Sequence, residues 1–499
     1  MLSSRRLTVK ETRKVDSMSK PKERWDLIVI GGGTAGIVAA KTAVELGAKV
    51  LLIESDRTGG DCLWTGCVPS KALIAVAQKV WAQRGSPAMG IGAAPHELDF
   101  LQVMNYVQGV ISEIEPTDSI ATLRTEGIEI IQGDGKFQDS HTIEVNGISH
   151  RFSKAIIATG AGPTVPKILG LEGERYLTSD SLWDLKVLPQ RLLILGAGNI
   201  GCELGQAFSR IGSQVILLDI AERIILREDA DAAKILHETL IREGVDLEVG
   251  AEIINFEIEE SGSGLVRFTN LSGFHEIKFD RLLVATGRTP RVANLGLKAA
   301  GVDLDQRGFV ETTTALRTSN SSIYAAGDVT GHPQFTHLAG VHGSVAASNA
   351  ILGISRRAEL VVIPRVTFTD PEIASVGDTS NAVSGREVLF LSNTHVDRAI
   401  TESRQDGFTK IYIDSKGVIV GAVLVNSRAG EAISELTLAI KNGFKVQAIA
   451  SVIHPYPTLS DGIWKLAVAE VKARLSQPAI AFGLRTLKAI ALISAKIRG

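Results

Sequence analysis

Cysteine is scarce in this chain: 499 residues hold only Cys62, Cys67 and Cys202. Three cannot build the disulfide framework of a secreted scaffold, and Cys62 and Cys67 lack the neighbouring His or Cys that a zinc site needs. A reducing, cytoplasmic compartment is therefore expected, and no metal site is assigned. Aromatic residues make up 5% and the formal charge is −2, which leaves few stacking platforms and no basic field for nucleic acid. No uncharged apolar run approaches the roughly 20 residues of a spanning helix. Residues 1–23 are rich in Lys and Arg, yet they include Glu11, Asp16 and Glu23 and have no apolar stretch. They read as a disordered basic tail rather than a secretory signal or transit peptide, with Met18 as an alternative start.

Glycine, by contrast, is plentiful at 49 residues, and 44% of the chain is apolar. That composition suits an α/β protein full of tight turns, and the length suggests roughly three domains. The stretch "WDLIVIGGGTAGIVAAKTAVELGAKVLLIESD" (25–56) reads as buried strand, glycine turn, helix, strand and acid. Gly31, Gly33 and Gly36 fill the GxGxxG positions, which allow a tight turn, close backbone approach to a pyrophosphate and close helix–strand packing. Glu54, at the end of the second strand, can accept from ribose hydroxyls.

The unit recurs in "RLLILGAGNIGCELGQAFSRIGSQVILLDIAER" (191–223), with Gly196, Gly198, Gly201 and Asp219 in the same places. One chain therefore has two dinucleotide clamps. Asp219 accepts from a 2′-hydroxyl and repels a 2′-phosphate, so NAD(H) is favoured over NADP(H), although Arg223 and Arg227 follow. "KAIIATGAGP" (154–163) and "RLLVATGRTP" (281–290) each run a buried strand into Ala-Thr-Gly, and "SSIYAAGDVTG" (321–331) places Asp328 at a strand's C-terminal end. Open α/β sheets bind their ligands at that end.

Close behind Glu54, "GGDCLWTGCVPSKAL" (59–73) spaces Cys62 and Cys67 as C-x4-C. A distorted helical turn can bring two such sulfurs to disulfide distance. A structural bridge over so short a loop would stabilise little, so a redox role leads. Cys202 follows Gly201 on a helix face and reads as a small buried residue.

On these residues the chain resembles the class I pyridine nucleotide–disulfide oxidoreductases, the flavoprotein family of dihydrolipoamide dehydrogenase, glutathione reductase and mercuric reductase. The likeness covers about 25–465 and is carried most specifically by G-G-x-C-x4-G-C-V-P-S-K. It implies FAD in the first clamp, NAD(P)H in the second, and a C-terminal region that builds a homodimer with a shared active site. The implied domains are 24–164 with 288–358 for FAD, 165–287 for NAD(P), and 359–499 for dimerisation, the last opening near "VVIPRVTFTDPEIASVG" (361–377). By the same resemblance Cys62 is the interchange thiol, Cys67 the thiol at the flavin, and Lys71 and Glu203 a pair beside it. Gly135, Thr159, Gly160 and Asp328 resemble FAD contacts, and Gly287 resembles a contact on the NAD side.

The segment "HPYPTLSD" (454–461) departs from the thiol reductases of this family. Tyr456 stands where they carry a catalytic His, and Asp461, five residues on, stands where they carry Glu. A phenol titrates near pH 10 and an imidazole near 6.5, so Tyr456 is a poor neutral-pH base. His454 is the nearby substitute. Tyr at this position, with "DRAI" (397–400) and "RAGE" (428–431), is similar to mercuric reductases, but no cysteine follows Cys202 and no N-terminal CxxC domain is present. The expected function is an FAD-dependent NAD(P)H oxidoreductase acting on a disulfide, a thiol-bound metal ion or a related acceptor. The alternatives are a dihydrolipoamide dehydrogenase and a non-catalytic flavoprotein scaffold. Beyond residue 478, Leu484, Leu487, Ile490 and Ile493 recur at helical spacing beside Arg485, Lys488, Lys496 and Arg498. Such a basic amphipathic tail suits either an anionic membrane surface or packing on the dimer or a partner.

Overall fold

The computed structural model describes residues 24–86, 89–93, 97–173, 175–380 and 385–498, without the side chains of 496–498. The amino-terminal tail expected over 1–23 lies outside them. The strands Arg24–Ile30 and Val50–Glu54 are buried in continuous apolar runs, as strands of a parallel sheet covered on both faces must be. Arg24–Ile30 lies between Val50–Glu54 and Ile148–Ile157, with Glu129–Gln132 next to Val50–Glu54, all parallel. Ile323–Ala325 returns from late in the sequence to pair parallel with Ile148–Ile157, and two antiparallel strands, Thr142–Val145 and Lys136–Asp139, extend the sheet. The helices Thr34–Glu45 and Thr336–Leu352 pack against each other and share an apolar cluster with this sheet.

The second glycine motif builds a smaller parallel sheet in the order Val245–Glu248, Gln214–Leu218, Arg191–Leu195, Arg281–Val284. The helix Asn199–Ile211 connects its first two strands in sequence, and an antiparallel sheet of Glu252–Ile258, Gly264–Asn270 and Gly273–Phe279 follows. A short ribbon, Ala161–Pro163 against Arg288–Pro290, carries the chain into this unit and back. Five antiparallel strands then form a third sheet, ordered Arg365–Thr367, Glu372–Gly377, Ile419–Asn426, Phe408–Ile413, Glu387–Ser392. The helices Ala429–Lys441 and Asp461–Leu475 share its apolar cluster.

One core runs through all three units. Leu73 of the cysteine helix, Phe208 of the second glycine helix and Tyr412 and Val423 of the third sheet belong to a single buried cluster. Arg210 adds a polar staple, buried and paired with Glu243 at 2.6 Å and with Asp370 at 3.1 Å.

The third glycine of each turn is demanded by contact. A Cβ on Gly36 would lie 1.8 Å from the Gly31 carbonyl oxygen, and one on Gly201 would lie 1.9 Å from that of Gly196, so helix and turn touch through backbone alone. Gly198 has nothing within 4 Å of its Cβ position. Gly201→Ala is therefore expected to destabilise the protein by about 1–3 kcal/mol or more. Gly198→Ala meets no contact and loses only the N-cap preference for glycine over alanine, so it should cost less, about 0.5–1 kcal/mol, both read from urea unfolding curves.

Candidate active site

A cavity of about 880 Å³ opens along the C-terminal end of the first sheet. Gly31, Gly33, Glu54, Cys62, Gly135, Thr159, Gly160 and Asp328, all picked out in the sequence, line it. Gly36 stands behind the turn as its packing contact. The Glu54 carboxylate closes the glycine loop, accepting from the backbone N–H of Gly32 at 2.5 Å and of Asp56 at 2.8 Å. The Thr159 hydroxyl is buried on this wall without a hydrogen-bond partner. Burial pushes the Asp328 carboxyl up, opposed by the Arg288 guanidinium 3.6 Å away. Backbone cradle, ribose acceptor and unsatisfied hydroxyl together fit an extended dinucleotide such as FAD.

Cys62 lies on a short helix that meets the long helix of Cys67 at a break. Gly60–Trp64 ends before Gly66, where a Cβ would come within 2.9 Å of the Asp61 carbonyl oxygen, and Cys67–Ala82 starts immediately after. The loop is pinned by the Trp183 indole N–H, which donates to the Thr65 and Ser179 carbonyls at 2.8 Å. The two cysteines are unbridged, and the Cys62 thiol is hydrogen-bonded to the Cys67 sulfur. The hydrogen bond from Cys62 draws the Cys67 thiol down to about 5, against its burial and with help from the Thr336 hydroxyl at 3.4 Å and the Lys71 ammonium. The same shared hydrogen bond, with burial, pushes Cys62 up. One sulfur is thus kept as thiolate and the other as thiol.

Lys71 lies one helical turn past Cys67. Its Nζ is 2.7 Å from Glu203 Oε2 and 4.4 Å from the centre of the Phe368 ring, while the Phe368 N–H donates to Glu203 Oε1 at 2.9 Å. Cys202, next to Glu203, is buried with its thiol pushed up by desolvation and takes no part in this group.

At the second clamp Asp219 repeats the role of Glu54, accepting from Ala197 N–H at 2.5 Å and Ala221 N–H at 2.8 Å. Gly196 adopts φ +110° against the Ala285 carbonyl, and Gly198 caps the helix that Gly201 packs. Arg223 turns away from the clamp and donates to the carbonyls of Ile225, Leu226 and Glu228. Gly287, with φ +141°, leads into the ribbon between the two units, where its carbonyl accepts from Thr164 N–H.

The segment 454–461 is tied to other parts of its own chain. His454 is held within its own chain: its Nε2 is 2.8 Å from Glu435 Oε1 and its Nδ1 3.0 Å from the Val452 carbonyl, so both nitrogens face acceptors. Tyr456 does not pair with Asp461. Its exposed hydroxyl donates to Asp397 Oδ2 at 2.7 Å, whereas Asp461 is buried in the first turn of its helix, 3.3 Å from Lys465 Nζ. The shorter acid stays inside while the long phenol reaches outward. Lys465 joins the two through Asp397 Oδ1 at 3.0 Å. The Tyr456 hydrogen bond and then Lys465 hold the Asp397 carboxyl below its usual range, and Asp397 in turn pushes Tyr456 up.

Comparison with known proteins agrees with this geometry. Residues 25–343 match the family described as pyridine nucleotide-disulphide oxidoreductase, and residues 363–467 match the dimerisation domain of that family. The chain belongs to the pyridine nucleotide-disulphide oxidoreductases. A mercuric reductase of Lysinibacillus sphaericus is 36% identical over 453 residues, covering 89% of this chain and 82% of that one. A dihydrolipoyl dehydrogenase of Thermus scotoductus is 36% identical over 463 residues, covering 89% and 97%. Among solved structures, LpdA from Mycobacterium tuberculosis has a TM-score of 0.80 at 30% identity over 89% of this chain and 99% of that one. The Cu(II) complex of the HOCl-induced flavoprotein disulfide reductase RclA from Escherichia coli has 0.79 at 27%, over 90% and 99%.

The protein is thus a flavin-dependent oxidoreductase of this family, and FAD is the flavin that the family and the first cavity support. Several residues of this oxidoreductase's site escaped sequence reasoning. Arg288 and Arg291 both bind Asp61, the residue before Cys62, and Arg291 also reaches Asp180 at 3.3 Å. Thr336 and Asp397 likewise come from remote segments. The Thr336 hydroxyl yields a direct test. With Cys67 ionised it donates to the sulfur, so Thr336→Val should raise the pH at which the thiolate absorbance of the reduced protein disappears, by about 0.5–1 pH unit.

Proposed function

We propose that this protein uses NADH to reduce, through Cys62 and Cys67, a soft metal ion bound by thiolates or a related disulfide acceptor, and that it is a poor dihydrolipoamide dehydrogenase. The observation that carries this reading is the Tyr456–Asp397–Lys465 group. Oxidising a dithiol substrate needs a base near neutral pH, commonly worth about 10²–10⁴-fold. Tyr456 is pushed up, Asp397 is held down, and His454 is occupied by Glu435, so none of the three is poised to take that proton. A thiophilic metal ion binds to thiolates directly and asks for no such base.

Bound FAD and nicotinamide supply hydride and electron-pair chemistry that side chains lack. The chain's own part is to open and close the Cys62–Cys67 bond. Reduction of that disulfide takes two electrons. Cys67 stays ionised beside Lys71 and Thr336, and Cys62 takes up a single proton. Cys62 then faces the acceptor as the interchange thiol, and its oxidation with Cys67 restores the disulfide. Asp219 at the clamp and Arg223 spent on backbone carbonyls favour NADH over NADPH, since neither offers charge to a 2′-phosphate.

The dimerisation domain supports a homodimer in which segment 454–461 completes the site of the other subunit. The unit boundaries proposed are 24–164 with 288–358, 165–287 and 359–499, and the few cysteines suit the cytoplasm. Dihydrolipoyl dehydrogenases among the relatives keep a second reading in view, in which the His454–Glu435 pair serves as the base.

An acceptor panel separates the readings: dihydrolipoamide with NAD⁺, and mercuric ion, cupric ion and oxidised glutathione with NADH and with NADPH. Metal-ion reduction with NADH should lead, with slow dihydrolipoamide oxidation. Tyr456→His should raise dihydrolipoamide oxidation by about 10²-fold or more. Rapid turnover of dihydrolipoamide by the parent, abolished by His454→Gln, would establish the second reading instead.

A further inference from the structure

The helix Pro478–Arg498 is not used by the chemistry above and lies past residue 467, where the match to the dimerisation domain stops. Residues 478–495 are exposed, with only Ala481 half-buried among them. Phe482 is 73% exposed, Leu487 64% and Ile493 59%. A helix of a soluble domain turns an apolar stripe onto a core, and here that stripe is left exposed among the described residues. The charge is equally one-sided. After Glu470 the sequence holds six Lys or Arg and no Asp or Glu, in a chain whose net charge is −2.

At 3.6 residues per turn, Arg485 and Lys488 share one side of the helix with Ala481, Ala489 and Ala495, and Ile480, Leu487, Ile490 and Ile493 lie on the other. Leu484 and Leu492 are the exceptions on the basic side, and Phe482 lies at its border. Three occupants compete for such a helix. A second copy would set Arg485 and Lys488 near the same cations, with no acid in either helix to answer them. A bilayer-spanning arrangement is long enough, since 478–495 has a mean hydropathy of 1.4, but it would carry both cations at mid-depth, where they are strongly disfavoured. An anionic lipid surface satisfies both sides: the apolar side enters the acyl boundary while the cations meet headgroup phosphates.

We propose that Pro478–Arg498 is a peripheral membrane anchor that lies in the plane of an anionic lipid surface and holds the oxidoreductase there. The test is flotation of the FAD-loaded full-length protein with vesicles of phosphatidylcholine alone or mixed with phosphatidylglycerol. The protein should float with the anionic vesicles only and be released by high salt. A basic residue at such a surface strengthens binding about fivefold, so Arg485→Ala with Lys488→Ala should weaken vesicle affinity about 25-fold. Deletion of 478–499 should abolish flotation, and both variants should keep the NADH-dependent activity of the parent in solution. Failure of the full-length protein to float with either vesicle would overturn the proposal, as would equal flotation of the deletion variant. So would binding to phosphatidylcholine that survives salt and alkaline extraction, which would show a spanning helix. Dissociation of the dimer on deletion, without vesicle binding by the parent, would assign the helix to the subunit contact instead.

Discussion

The Glu203 carboxylate is the point on which the arrangement turns. It is 8% exposed and comes from the second nucleotide unit, yet its partners belong to the other two: Lys71 from the cysteine helix and the Phe368 N–H from the turn after the first strand of the third sheet. A buried carboxylate that loses a partner costs several kcal/mol, so this one ties the three segments together. Lys71 also lies over the Phe368 ring, which closes the group on itself. Because Lys71 follows Cys67 by one helical turn, fixing the ammonium fixes the sulfur.

Electrostatics then divide the labour between two chemically identical side chains. Cys67 has the hydrogen bond from Cys62, the Thr336 hydroxyl and the Lys71 ammonium on its side, with burial and Glu203 opposing them. Cys62 has burial and a neighbouring negative sulfur against its ionisation. The asymmetry arises from position alone. The third unit contributes in a similar way: Asp397, itself held by Lys465, ties up the Tyr456 hydroxyl.

The parts of this site that could be read from the sequence are the local ones. Strand, glycine turn, helix and acid follow one another within about thirty residues, and the spacing of Cys62 and Cys67 signals a broken helical turn because Gly66 stands between them. The parts that could not be read depend on segments far apart in the chain. Nothing near Asp61 announces Arg288 and Arg291, and nothing near Tyr456 announces that Asp397, rather than Asp461, would accept its hydrogen bond. Nothing near His454 in the sequence announces which group bonds it. Glu435, nineteen residues earlier, is brought against it only when the helix Ala429–Lys441 packs beneath the segment. The tail posed the reverse problem: its period predicted a helix correctly, but period does not say whether the apolar side will be covered.

The central claim is that Cys62 and Cys67 store an electron pair in addition to the flavin. Anaerobic titration of the FAD-loaded protein with NADH tests it most directly. The account predicts that the parent takes up one more hydride equivalent per subunit than either Cys62→Ser or Cys67→Ser. Equal uptake by the parent and both variants would contradict it.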